Sequence, residues 1–310
     1  MKGPRDYQTD EQDMEQGQPS STAIMCAMGR AYHLLWDDDP KVFTDSLALT
    51  LSGCTDAEAL RTAWDTLSTS VAAETGADLA DRILRVARSV WLMRSRCVEE
   101  ELERAVKRGA TQYVILGAGL DSFAYRRPDL VDRLRVFEVD HPATQTWKRG
   151  RLRELNIAEP PNVVFTPIDF QKESLLDGLR KSGYKLDAPS FFSWLGVTVY
   201  LSRTAVFDTL QTVAAMARGS HIIFQYLLPI SALDDESRRM DEFIQRYAAA
   251  HGEPYLTFFA PGELTEEVRR LGFNIIEDLG PQEANTRYFA NRTDGLHLNS
   301  SHGRFMTARV

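Results

Sequence analysis

The chain has 310 residues, 43% hydrophobic and 26% charged, the composition of a globular protein with a sizeable core. Its net charge of -8 sets it against phosphate backbones, so nucleic acid is a poor partner. No apolar run of about 18 residues offers a membrane span. The three cysteines, Cys26, Cys54 and Cys97, are too scattered for a disulfide framework or a zinc site, which suits a reducing cytoplasm and no metal.

Residues 1–18 are polar and acidic with no apolar stretch, and read as a disordered tail rather than a signal peptide. From 19 to 108 apolar residues recur at three-to-four spacing, as in DLADRILRVARSVWLMRSRCVEEELERAVKRG, and predict a helical cap. Gly109 is a helix stop. The texture then changes to short apolar runs between helical stretches: QYVIL, LRVFEV, VVFTPI, SFFSWL, HIIFQYLL, FNIIED and RFMTARV. Consecutive apolar positions suit strands buried on both faces of a parallel sheet. The alternation predicts an α/β, Rossmann-like domain over 109–310, with seven strands and the last two as an antiparallel hairpin. Residues 229–262, after the fifth strand, carry helical patterning and a Pro/aromatic stretch and predict a lid.

Three motifs fall at the ends of successive strands. In YVILGAGLDSFAYRR a buried strand runs into Gly117-Ala118-Gly119 and then a helix, where glycines let a ligand approach free N–H groups. The alternative is a strand–helix turn with no ligand. A dinucleotide fingerprint would place Gly or Ala where Ser122 stands, and Asp121 would face a pyrophosphate, so both favour a ligand without phosphates. In VFEVDHP, Asp140 stands where an acid accepts both ribose hydroxyls, with His141 beside it; the alternative is a helix-capping Asp. Glu138 is a weaker candidate. In FTPIDF, Asp169 and Phe170 offer an acceptor and a ring to an adenine, or else Asp169 caps the next helix. The carboxyl edge of an open α/β sheet is where ligands bind.

LGAGLDSFAYR, FEVDHP, PIDF and SWLGVTVYL, in this order, resemble the leucine carboxyl methyltransferase family of class I S-adenosylmethionine-dependent methyltransferases. That family includes bacterial O-methyltransferases of polyketide pathways, and the resemblance runs from TAIMCAMGRAYH to the final strand. It implies S-adenosyl-L-methionine as cofactor and S-adenosyl-L-homocysteine as product. It places Gly117, Ala118 and Gly119 under the methionine part, Asp140 on the ribose, and Asp169 with Phe170 on the adenine. Arg94, in WLMRSR, takes the place of an arginine that grips the cofactor carboxylate, with Arg96 as alternate and Arg30 as a weaker cofactor or cap residue. The fourth motif contributes Leu195 and Gly196. Leu195 stands where the family often has an acid that contacts the methionine amino group, which puts that contact in doubt.

A carboxylate acceptor is already ionised at neutral pH and needs no base, whereas an alcohol or phenol needs one. Tyr200, Tyr226, His251, Arg287 and Tyr288 are candidates to meet the acceptor; His221, at the opposite strand end, reads as structural, and no base is assigned. The aromatic segments AYHLLW, EPYLTFF and RYF suggest a flat acceptor such as a polyketide-like acid or phenol, or else glue the cap to the sheet. The competing readings are a methyltransferase of protein C-terminal carboxyls and a non-catalytic cofactor-binding protein. A nicotinamide-dependent dehydrogenase is disfavoured by Ser122 and by the lack of a Tyr-x-x-x-Lys pair.

Overall fold

A computed structural model describes residues 21–169 and 173–310. The expected tail and Phe170 lie outside the described residues. Four helices come first: α1 (Ser21–Trp36), α2 (Ala48–Leu51), α3 (Ala57–Thr75) and α4 (Ala77–Lys107). Asp56 caps α3 by accepting from the Ala59 amide at 2.8 Å. Gly109, at φ +102°, ends α4 and lets the Ala110 amide reach back to the Ala105 carbonyl at 3.0 Å.

The alternating region follows as β1 (Gln112–Leu116), α5 (Phe123–Arg126), β2 (Arg135–Asp140), α6 (Pro142–Glu154), β3 (Val163–Pro167), α7 (Leu175–Lys181) and β4 (Ser190–Trp194). It continues with α8 (Arg203–Ala214), β5 (His221–Tyr226), α9 (Asp235–Ala250), α10 (Pro261–Arg270), β6 (Ile275–Leu279), α11 (Pro281–Ala284) and β7 (Arg304–Arg309). The strands form one sheet in the order β3-β2-β1-β4-β5-β7-β6. β7 is antiparallel to both neighbours, so it slots between β5 and β6. Residues 280–303 form the long link between the last two strands.

Both sheet faces are covered, which explains the unbroken apolar runs. Tyr113, Ile115, Phe191 and Ile223 join the core shared with α1, α3 and α4. Their chain neighbours Val114, Leu116, Phe192, Trp194 and Phe224 point the other way, into a second core with residues of α7, α8 and α10. Gly29 of α1 lies against Trp91 of α4, where a Cβ would come within 2.2 Å of the indole. This contact seats α1 on the cap, and Ala23 of α1 lies 3.5 Å from where a Cβ on Gly119 would stand.

Candidate active site

The parallel strands deliver the sequence motifs to one edge of the sheet. In order along that edge stand Asp169 after β3, Asp140 ending β2, Gly117–Gly119 after β1 and Gly196 after β4. Three inter-strand steps of about 4.8 Å give about 14 Å, enough for an extended nucleoside joined to an amino acid. β1 and β4 flank the point where the strand order reverses.

Gly117 has φ +72°, and a Cβ there would come within 2.3 Å of Val197, so the turns after β1 and β4 interlock only because this residue is glycine. The Gly117 and Ala118 amides donate to the Val139 carbonyl at 2.8 and 3.1 Å, tying the glycine turn to β2. The Asp140 carboxylate accepts from the Gly119 amide and from the His141 amide, the latter at 2.6 Å. Burial pushes the Asp140 carboxyl up, against those two N–H groups. Asp140 is not the cap of α6. That position belongs to His141, whose Nδ1 accepts from the Ala143 amide at 3.2 Å, with Pro142 opening the helix. The Asp140 carbonyl accepts from the Ile168 amide at 2.9 Å, which joins the β2 end to the segment carrying Asp169.

Glu138 does not face the edge. It is buried and paired with Lys148 of α6 at 2.6 Å, and Lys148 also donates to the Asp121 carbonyl at 2.6 Å. Arg30 is likewise structural in its contacts: it pairs with buried Asp45 at 2.9 Å and donates to the Leu120 carbonyl at 3.0 Å, bracing the glycine turn from α1.

Arg94 projects from α4 to the turn after β4. Gly196, at φ +67°, makes room for it: a Cβ there would stand 2.7 Å from the guanidinium. Its hydrogen-bond partner is the Cys26 thiol at 3.0 Å, and among the described residues it has no carboxylate partner. Arg96, two residues on, is exposed and pairs with Glu100 at 2.6 Å. Leu195 packs against the cap-side core.

A cavity opens beside Arg94 and Gly196, between the sheet edge, α3, α4 and α9. Its far walls are apolar, with Leu67, Val71, Ile83, Trp91 and Phe243 among them. Its polar lining includes Arg94 with Thr198, Gln225 and His302 of the sheet edge, and also Ser21, Thr22, His251 and Glu253. Tyr200 borders it, edge-on to Tyr255 with ring centres 5.5 Å apart, and burial pushes its hydroxyl up to about 12. Tyr226 also borders it, but its hydroxyl donates to Asp278 at 2.9 Å, beside Arg304 on the same carboxylate oxygen. His251 borders the outer end, stacked on Tyr247 at 4.1 Å with Nδ1 against the Tyr247 carbonyl. Arg287 and Tyr288 do not line the cavity; both hold Glu100 of α4, at 3.0 and 3.2 Å. Of the three aromatic segments, EPYLTFF reaches the cavity through Tyr255. Tyr32 and Trp36 of AYHLLW meet edge to face, and Tyr32 packs at a tilt on Trp64, inside the cap.

His302 was not among the sequence candidates. It lies just before β7, whose antiparallel course brings its first residues beside Tyr226 at the carboxyl edge of β5. Gly303, at φ +72°, packs so closely that a Cβ would fall within 1.9 Å of the Tyr226 carbonyl oxygen. Burial, and then the charge of Arg94, lower the His302 imidazole from 6.5 to about 4. The one sequence signal was a histidine before a glycine at a strand start.

The sheet order, with one reversed strand next to the edge and glycine turns at the carboxyl ends of β1 and β4, suits a methyltransferase with a nucleoside cofactor. Residues 23–214 match the family model described as leucine carboxyl methyltransferase. YktD of Bacillus subtilis (strain 168), named as an S-adenosyl-L-methionine-dependent methyltransferase, is 33% identical over 295 residues, spanning 91% of this chain and 95% of its own. A solved structure from Thermobifida fusca YX, named as a methyltransferase, aligns with a TM-score of 0.56 at 17% identity over 96% of each chain. A duf574 family protein from Streptomyces avermitilis ma-4680 aligns with a TM-score of 0.55 at 17% identity, covering 94% of this chain and 97% of its own. At that identity the two structures speak for the fold alone. The chain belongs to the leucine carboxyl methyltransferase family, and it is an S-adenosyl-L-methionine-dependent methyltransferase.

Proposed function

We propose that this enzyme transfers the methyl group to an oxygen of a small, largely apolar molecule held in the cavity between α3, α4, α9 and the sheet edge. In this reading the cap, residues 19–108, and the lid, residues 229–262, enclose the acceptor. Arg94 grips the cofactor carboxylate, Gly117–Gly119 underlie the methionine part, Asp140 takes the ribose and Asp169 the adenine. The residues fit such a group. A guanidinium without a carboxylate partner faces the β4 turn, and a carboxylate held by two backbone N–H groups ends β2. When bound, the cofactor supplies an electrophilic methyl group on a sulfonium, so the chain's task is alignment of the acceptor and exclusion of water.

The observation that carries the acceptor reading is the largely apolar lining of the cavity. Apolar side chains of α3, α4 and α9 make up most of its wall, with Arg94, Thr198, Gln225 and His302 among its fewer polar groups, which suits a largely apolar acceptor. No described helix is long and apolar enough to cross a membrane.

The test is incubation with methyl-labelled cofactor and three sets of acceptors: aromatic acids, phenols, and peptides with a free C-terminal carboxylate. Label on oxygen of an acid or phenol is expected. Label on nitrogen or carbon, or only on the peptide C-terminus, overturns the reading, and the last outcome instead supports the family's named carboxyl chemistry on a protein.

A further inference from the structure

Resting on that reading of the cavity, we infer that His302 accepts a proton from the acceptor, and that the methylated group is therefore a hydroxyl, of a phenol or alcohol, rather than a carboxylate. The geometry sets the state of the imidazole. The Ser301 hydroxyl donates to Asn299 Oδ1 at 2.6 Å, and the Ser301 amide donates to the same oxygen at 3.1 Å. With its proton directed there, Ser301 Oγ accepts from His302 Nδ1–H at 2.9 Å. The other ring nitrogen, Nε2, then carries the lone pair. It has no partner among the described residues, and the ring borders the cavity beside Arg94 and Thr198.

The frame around the ring is rigid. The His302 carbonyl accepts from Gln225 Nε2 at 2.9 Å, Gly303 is wedged on the Tyr226 carbonyl, and Asn299 reaches Met240 Sδ of α9 at 3.0 Å. Elsewhere along the cavity, His251 lies on the exposed outer helix end against Tyr247, and the Tyr226 hydroxyl is engaged by Asp278. His302 is neutral at neutral pH; burial and Arg94 also weaken it as a base, and a cofactor carboxylate paired with Arg94 would offset the second of these. An ionised carboxylate would have no proton to give, so a preset lone pair at this point suits a hydroxyl. As the acceptor oxygen forms its bond to the methyl carbon, its O–H proton passes to Nε2. The carbon–sulfur bond breaks with its electron pair on sulfur, giving S-adenosyl-L-homocysteine, and the imidazolium later releases the proton to water.

The test joins NMR of nitrogen-labelled histidine in the full chain, bound to S-adenosyl-L-homocysteine, to methyl-transfer rates on para-cresol, para-nitrophenol and benzoate. The His302 signals, identified by their loss in His302→Gln, should show the Nδ1–H tautomer, and para-cresol should shift Nε2. Ser301→Ala should mix the tautomers while leaving the ring in place. His302→Gln should slow methylation of para-cresol about 100-fold or more. The same variant should leave para-nitrophenol nearly unchanged at a pH where it is already the phenolate, and cofactor affinity should stay the same. An Nε2–H tautomer, an Nε2 signal unmoved by para-cresol, an equal loss on both phenols, or methylation of benzoate alone each overturns the role of His302. Failure of S-adenosyl-L-homocysteine to bind, or label confined to peptides, counts against the proposed function instead.

Discussion

Arg94 and Arg96 sit two positions apart on one helix, and their surroundings separate them. Arg96 is half exposed and satisfied by Glu100 one turn away, a pair worth little in water. Arg94 is held between Cys26 and Gly196 at the strand-order reversal, with a guanidinium free to take a carboxylate. Arg94→Lys should weaken S-adenosyl-L-homocysteine binding by about 1.5–3 kcal/mol, roughly 10–100-fold in calorimetry, because a point charge does not reproduce paired hydrogen bonds. Arg96→Ala should leave affinity unchanged. Normal binding by both Arg94→Lys and Arg94→Ala would remove Arg94 from the site. Asp140→Ala should also cost about 1–3 kcal/mol of affinity, since it strips both the proposed ribose acceptor and the anchor of the Gly119 amide. If calorimetry shows no loss there, the ribose assignment is wrong.

Among the elements, α6 and β2 depend on one buried ion pair. Glu138 and Lys148 are each about 1% exposed in their side chains and meet at 2.6 Å, directly behind the Asp140–His141 turn. Such a pair adds little net stability over apolar residues, but breaking it leaves a charge buried alone. Lys148→Met should therefore lower unfolding stability in urea by about 3–5 kcal/mol. The double variant Lys148→Met with Glu138→Leu should recover most of that. A single variant as stable as the parent would mean that Glu138 finds another partner. Glu138 looked like a spare ribose ligand in the sequence because it shares a strand face with Asp140. The lysine that covers it lies ten residues on, in the next helix, and nothing local announced the pairing.

For the whole molecule, the buried titratable groups set how stability responds to acid. His221 and His302 are both lowered from 6.5 to about 4, by burial first, with Arg108 and Arg309 acting on His221 and Arg94 on His302. Between those values the unfolded chain binds protons that the folded chain refuses, so stability falls as pH drops from 6.5 toward 4. Asp241 of α9, pushed up by burial from 3.8 to about 6, works in the opposite direction over nearly the same window. Asp37 and Asp45 are buried, yet held below the usual carboxylate range; His33 and Arg88 do this for Asp37, and Arg30 and Arg126 for Asp45. Their contribution is present above 3.8 and is lost as pH falls below it. Glu99, Glu138 and Asp140, also pushed up by burial, act with Asp241, so the melting temperature should decline less from pH 6.5 to 4 than the histidines alone would give, then steeply below. His221→Gln should flatten the upper slope and Asp241→Asn should steepen it, as thermal melts across pH will show. A flatter slope in Asp241→Asn would contradict this assignment.

The strands, the glycine turn and the two strand-end acids were legible in the chain itself, because each rests on neighbours in sequence. Unbroken apolar runs such as QYVIL require two covered faces, and a glycine at positive φ is the residue a sharp strand–helix turn needs. The family followed from the order of those motifs. The different surroundings of Arg94 and Arg96, the burial of Glu138 and the whole of the Asn299–Ser301–His302 arrangement were decided by contacts between distant segments. α4, the turn after β4 and the start of β7 span more than two hundred residues, and they meet because β7 inserts in reverse between β5 and β6. Periodicity states which side of an element is apolar, but which loop ends share an edge depends on strand order, and that is a property of the packed sheet.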